Sequence, residues 1–172
     1  MKIKNIKGNI YEITPDLAEA CILYLRSGFN PSFSEWQYNF LPKFKNLIHY
    51  KGNKLDILKP WQSKEDTILE LKPKQNKWKY IYVFSNPKNE KGFSSETELR
   101  DKINLSLSSL SDLGVTKVSS IHLPIINLKS IDSAKIMLNQ IRDFGAIKKS
   151  NINELFLVDL NDSFKQIIDQ KK

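Results

Sequence analysis

The 172-residue chain has one cysteine, Cys21, which excludes an internal disulfide and a cysteine-rich metal centre. It has two histidines, His49 and His122, far apart in sequence, and no metal site is expected. No apolar run approaches the roughly 20 residues that span a bilayer. The longest, Ala20 to Leu25, is strand-sized, so no membrane partner is expected. The N-terminus lacks the long apolar core and small-residue cleavage site of a secretory signal, which points to a cytoplasmic protein. Internal repeats and low-complexity segments are missing too, so solenoids and fibrous folds are excluded. Arginine is scarce: Arg26, Arg100 and Arg142 are the only three.

What is present describes a globular chain. A hydrophobic fraction of 40% and an aromatic fraction of 10% exceed what a disordered segment carries. The length suits one domain covering 1–172, large enough to bury a real core. The net charge of +8 raises the question of nucleic acid, since clustered cations gain affinity by releasing counterions from phosphates. The shortage of arginine, the usual residue for bidentate phosphate contacts, and the scatter of the lysines make nucleic acid the less expected partner. Solvated lysines explain the charge more simply.

Along the chain, Lys2 to Ile13 alternates loosely around Gly8, which predicts a strand, a turn and a short second strand. Thr14-Pro15-Asp16 has the chemistry of a helix start. Ala20 to Leu25 reads either as a continuation of that helix or as a buried strand, and periodicity does not separate the two. Trp36, Phe40, Phe44 and Leu47 recur at helical spacing, with Pro42 either kinking that helix or lying in its first turn. Trp36 is read as core. Trp61, beside Pro60, is read as packing under a long loop or as a stacking surface. The polar stretch Lys51 to Lys79 holds one strand, Thr67 to Leu71. Tyr80-Ile81-Tyr82-Val83-Phe84 is β-branched and aromatic throughout, the composition of a central strand. Asn86 to Gly92 is a polar loop.

The second half alternates regularly. Ser95 and Glu98 form a capping box, and Leu99, Ile103, Leu107 and Leu110 then line one helix face that ends at Gly114. Val118 to Leu123 is a strand closed by Pro124. Asp132 or Ser133 caps a second helix with Ile136, Met137, Ile141 and Phe144 inward, stopped by Gly145. Leu155 to Val158 is a further strand, and Asp162 opens a last helix burying Phe164, Ile167 and Ile168. Strands and helices alternating at this spacing imply an α/β fold with a partly parallel sheet covered on both faces.

This order of elements resembles the macrodomain family, which binds ADP-ribose and related nucleotides. The resemblance is carried by Tyr80 to Ser85 followed by Glu98-Leu99-Arg100, and by Gly114-Val115 leading to Ser120-Ile121-His122-Leu123-Pro124. The helix Ala134 to Phe144, the strand Phe156-Leu157-Val158 and Ser163-Phe164 continue it. Lys7-Gly8-Asn9-Ile10 is similar to the family's Gly-Asp-Ile opening, with Asn in place of Asp. The resemblance implies a three-layer α/β/α sandwich on a mixed, largely parallel sheet of about six strands, in which Ala20 to Leu25 is a strand.

It also implies a ligand and a site. The family's Asp accepts a hydrogen bond from adenine. Asn9, followed by Ile10, keeps an acceptor oxygen but loses the charge, so weaker adenine recognition is expected. Phosphate loops of the family are glycine-rich so that backbone N–H groups approach the phosphates. Here the corresponding loops hold Gly28, Phe29 and Asn30, with one glycine, and Pro124, Ile126, Asn127, Leu128, Lys129 and Ser130, with none. A diphosphate would then lie at the helix start near Ser130, with Lys129 adding charge. The plainer alternatives are a turn at Asn9 and an ordinary loop and helix cap after Pro124. Tyr24-Leu25-Arg26-Ser27 lacks the Asn-rich strand end of hydrolytic members, and no base, water site and substrate holder come together. The expectation is a nucleotide-binding reader or sensor without catalysis and without a cofactor, for example in bacterial defence signalling. The rivals are a decayed pocket acting through a protein or nucleic-acid surface, and an ADP-ribosyl hydrolase with an atypical site.

Overall fold

Residues apolar at every position of a strand must be buried on both faces, and three segments of this chain are of that kind, Ala20 to Leu25, Tyr80 to Phe84 and Leu155 to Val158. The structure, a computed structural model, describes residues 1–8, 10, 17–24, 66–70, 78–84, 92–147 and 149–159. In chain order these form β1 (Lys2–Lys7), β2 (Ala20–Tyr24), β3 (Thr67–Glu70), β4 (Tyr80–Phe84), α1 (Glu96–Asp112), β5 (Lys117–Ile121), α2 (Ser130–Ile147) and β6 (Glu154–Asp159). The strands make one sheet in the order β1-β6-β5-β2-β4-β3. Five strands run parallel, and β3 pairs antiparallel with β4 at the edge. Ala20 to Leu25 therefore resolves as a strand.

One face of the sheet carries Ala20, Ile22, Tyr82, Phe84, Val118, Leu155 and Leu157, and this face packs with α1 and α2 into a single core cluster. Successive strand residues point to opposite faces. Cys21, Leu23, Ile81, Val83, Phe156 and Val158 are equally buried, so the second face is covered as well. The helices lie on the first face because β4-to-β5 and β5-to-β6 both step the same way across the sheet, and right-handed crossovers then put both connections on one side. In α1, Leu99, Ile103, Leu107 and Leu110 are all buried; each contributes about 1.5–3 kcal/mol over an exposed position.

The helix ends show how local chemistry sets the boundaries. Ser95 Oγ accepts the Glu98 N–H at 3.1 Å, as a cap should. The return bond differs from the expected box: the Glu98 carboxylate accepts from Ser94, both its N–H at 3.2 Å and its hydroxyl. At the other end Gly114 has φ +81, its N–H bonds Ser111 O at 2.9 Å, and Val115 N–H bonds Leu110 O at 3.2 Å. That pair of bonds is a Schellman ending. Two expectations fail for α2. Asp132 and Ser133 lie inside its first turn, because Lys129 O accepts the N–H groups of Asp132 and Ser133 and the helix opens at Ser130. Gly145 does not stop it; the helix runs on to Ile147, and Gly145 instead admits the side chain of Met1, 3.2 Å from where a Cβ would stand.

Ile10 is buried in helical backbone, so no second strand follows Gly8 at that point. Trp78 is core, 2% exposed. The expected helix start at 14–16, the helix at 34–48, Trp36, Trp61 and the final helix from Asp162 lie outside the described residues.

Candidate functional site

Because β1, β6, β5, β2 and β4 are parallel, their C-terminal ends share one edge of the sheet. The connection leaving β5 goes to β6, while the chain leaving β2 goes the other way, to β3 and β4. Neighbouring strands whose connections part in opposite directions leave a crevice beyond their ends, the usual ligand position in open α/β sheets. In this sheet that position is at the ends of β2 and β5. Gly28, Phe29 and Asn30 follow β2, and Asn9 follows β1; all four lie outside the described residues. Ile10, Pro124, Ile126, Asn127, Leu128, Lys129 and Ser130 are described, and all belong to segments that leave the sheet at this edge.

The loop after β5 is held by its backbone. Leu128 N–H bonds Ile125 O at 3.3 Å, closing a tight turn with Asn127 at φ 65, a left-handed conformation that Asn tolerates better than other side-chain-bearing residues. Asn127, Leu128, Lys129 and Ser130 are exposed. Leu128 is 44% exposed. Lys129 occupies the N-cap of α2, where its side chain has no acceptor to offer the first N–H groups.

Two contacts that sequence reasoning missed fasten this loop. Phe93 forms a parallel bridge to Ile125: its N–H bonds Pro124 O at 2.8 Å, and Ile126 N–H bonds Phe93 O at 2.8 Å. The Phe93 ring is fully buried edge-on to Phe84, centroids 5.5 Å apart. The one available signal was a lone large aromatic between a polar loop and a capping residue. The second contact is His122, whose Nε2 lies 2.9 Å from Ser133 Oγ. Ser133 Oγ is also 3.1 Å from Ser130 O, so the hydroxyl bridges the imidazole and the first turn of α2.

His122 is mostly buried, and burial pushes its pKa below the ordinary 6.5; the Asp159 carboxylate and a backbone bond at Ser130 push the other way without prevailing. Asp159 is the buried last residue of β6. Ser133, His122 and Asp159 are the residue types of a hydrolytic triad, but Ser133 is 1% exposed inside the first turn of α2, where no substrate reaches its hydroxyl. Burial raises the thiol pKa of Cys21 well above its ordinary value, so it carries no thiolate chemistry at neutral pH. Among the described residues no three His, Cys, Asp or Glu side chains are grouped to hold a metal, and no helix is long and apolar enough to cross a membrane. A void of about 10 Å³ between Ile22, Ser120 and the inner faces of α1 and α2 is far too small for a nucleotide.

No protein-family model matches the sequence, and no curated protein does either. Solved structures match clearly. The macro domain of ganglioside induced differentiation associated protein 2 superposes with a TM-score of 0.63 at 15% identity, covering 97% of this chain and 82% of that one. The Trypanosoma brucei macrodomain in complex with ADP-ribose gives 0.62 at 11%, over 96% and 68%. The macrodomain of Thermus aquaticus DarG gives 0.56 at 12%, over 91% and 97%. The chain has the macrodomain fold, in a form whose sequence has diverged far from these structures.

Proposed function

We propose that this chain, acting as one domain over 1–172, binds ADP-ribose or a related NAD-derived nucleotide and does not turn it over. The observation that carries the reading is the parting of the β5 and β2 connections at one edge of the sheet, in a fold whose Trypanosoma brucei example holds ADP-ribose. On this reading Asn9 and Ile10 serve adenine, and Gly28, Phe29 and Asn30 serve the phosphates together with Pro124, Ile126, Asn127, Leu128, Lys129 and Ser130. Lys129 supplies charge at the start of α2, where the helix dipole also favours an anion. A reader or sensor role fits the lack of a base and a nucleophile aimed into the crevice among the described residues.

Calorimetric titration with ADP-ribose tests this directly. We expect saturable heat in the micromolar to millimolar range, weakened at least several-fold by Asn9→Ala and by Lys129→Ala. No heat at millimolar ligand defeats the proposal. A second reading, a protein-interaction surface on a disused pocket, is favoured by the loop without glycine and the 44% exposure of Leu128. It is supported if ADP-ribose fails to bind.

A further inference from the structure

The loop proposed to contact the ligand has no glycine, yet it is fastened at both ends by residues outside the sites assigned above. At its start, Phe93 takes both hydrogen bonds of the Ile125 bridge, at 2.8 Å each, and is anchored on Phe84. At its end, His122 Nε2 reaches Ser133 Oγ at 2.9 Å, and Ser133 Oγ reaches Ser130 O at 3.1 Å. His122 leaves the sheet just before the loop, while Ser130 and Ser133 belong to the turn of α2 just after it. The hydrogen-bond chain therefore closes the base of the loop, and Lys129 O, accepting from Asp132 and Ser133, lies within the closed segment.

We infer that His122 is a positioning residue for ligand binding: the hydrogen bond between its Nε2 and Ser133 Oγ holds Pro124 to Ser130 in the conformation that meets the ligand. The inference rests on the nucleotide-binding reading for its consequence, but not for its structural content. A loop built from glycines adapts to phosphates by bending its backbone. This loop is held in advance, so it loses less freedom on binding, and removing the fastening returns that cost. The hydrogen bond matters more than the ring, and the side-chain amide of glutamine, which holds both a donor and an acceptor, reaches a similar place.

Asp159 on β6 acts on the ring by its charge, while Lys129 and Asp132 of the α2 turn are exposed.

The test compares His122→Leu, similar in size with no donor, with His122→Gln, which restores one. Amide hydrogen exchange in ligand-free protein is followed at Leu128, Asp132 and Ser133, with Ile103 and Leu107 of α1 as controls. We expect exchange at the loop amides to rise about tenfold relative to the controls in the Leu variant, the scale of one lost hydrogen bond, and to return in the Gln variant. ADP-ribose affinity should fall and recover in parallel. Unchanged loop exchange in the Leu variant overturns the inference, as does a Gln variant that fails to restore it. Should the Leu variant unfold, the control amides exchange too, and the Gln variant alone decides: loop protection near wild type supports the inference, and its loss overturns it. If wild type binds no ADP-ribose, the nucleotide reading fails, while the exchange data still decide whether His122 holds the loop.

Discussion

A methyl group at Gly92 would stand 2.6 Å from Pro124 O, on a backbone with φ +147. Glycine there lets the 92–93 segment approach the loop after β5 closely enough to form the Phe93 bridge. Gly92→Ala should therefore cost on the order of 2 kcal/mol or more in urea unfolding, through strain and crowding together. Asp66 offers a second case. Its carboxylate accepts from Tyr82 Oη at 2.9 Å and from Lys102 at 3.0 Å, joining the start of β3 to β4 and α1. Burial, with the Asp66 charge and hydrogen bond, drives the Tyr82 pKa far above its ordinary 10.0, so this phenol stays protonated as the donor. Asp66→Ala leaves a phenol and an ammonium without their acceptor and should destabilise by about 2 kcal/mol, again read from the urea midpoint. Neither residue was legible in sequence. Gly92 looked like the end of a polar loop, and Asp66 like a loop carboxylate, because their partners are tens of residues away.

Among the elements, the helix boundaries divide into local and non-local cases. The ends of α1 were readable because Ser95, Glu98 and Gly114 act on backbone groups within a few residues. Ser95→Ala should cost about 1 kcal/mol, detectable as a lowered thermal midpoint with an unchanged fold by circular dichroism. The ends of α2 were misread for a related reason. Gly145 carries the composition of a stop, but its missing side chain serves contact with Met1, at the far end of the chain. The cap expected of Ser133 was spent on a bond to His122, a residue of the preceding segment. The strand reading of Ala20 to Leu25 needed neighbours as well: β5 and β4 on either side make it central, and its own residues do not distinguish a buried strand from a buried helix.

For the whole molecule, two titrating groups set opposite ends of the acid response. Burial works to raise the Glu19 pKa, but hydrogen bonds from the Thr116 side chain and backbone and from Lys79 outweigh it, and the net shift is below the ordinary 4.5. Glu19 thus adds stability above the unfolded-state value, lost as pH falls through its lower folded value. His122 also has a lowered folded pKa, so its contribution is complete above about 6.5 and declines as pH falls from there. Stability should therefore fall in two stages on acidification, the first beginning as pH drops below about 6.5. His122→Gln should flatten the first stage and Thr116→Val the second. Urea unfolding from pH 8 to 3 checks both, and a first stage unaltered by His122→Gln would refute the assignment.

Buried strands, amphipathic helices and the alternation between them were determined by residues acting on near neighbours, since burial pattern and capping are properties of a few consecutive positions. That was enough for the class of fold. Which loops are held, and by what, was decided only in three dimensions. His122 with Ser133, Phe93 with Ile125, and Gly92 against Pro124 are pairings across folded distance, and a hydrogen bond between remote positions leaves no periodic trace in the chain that makes it.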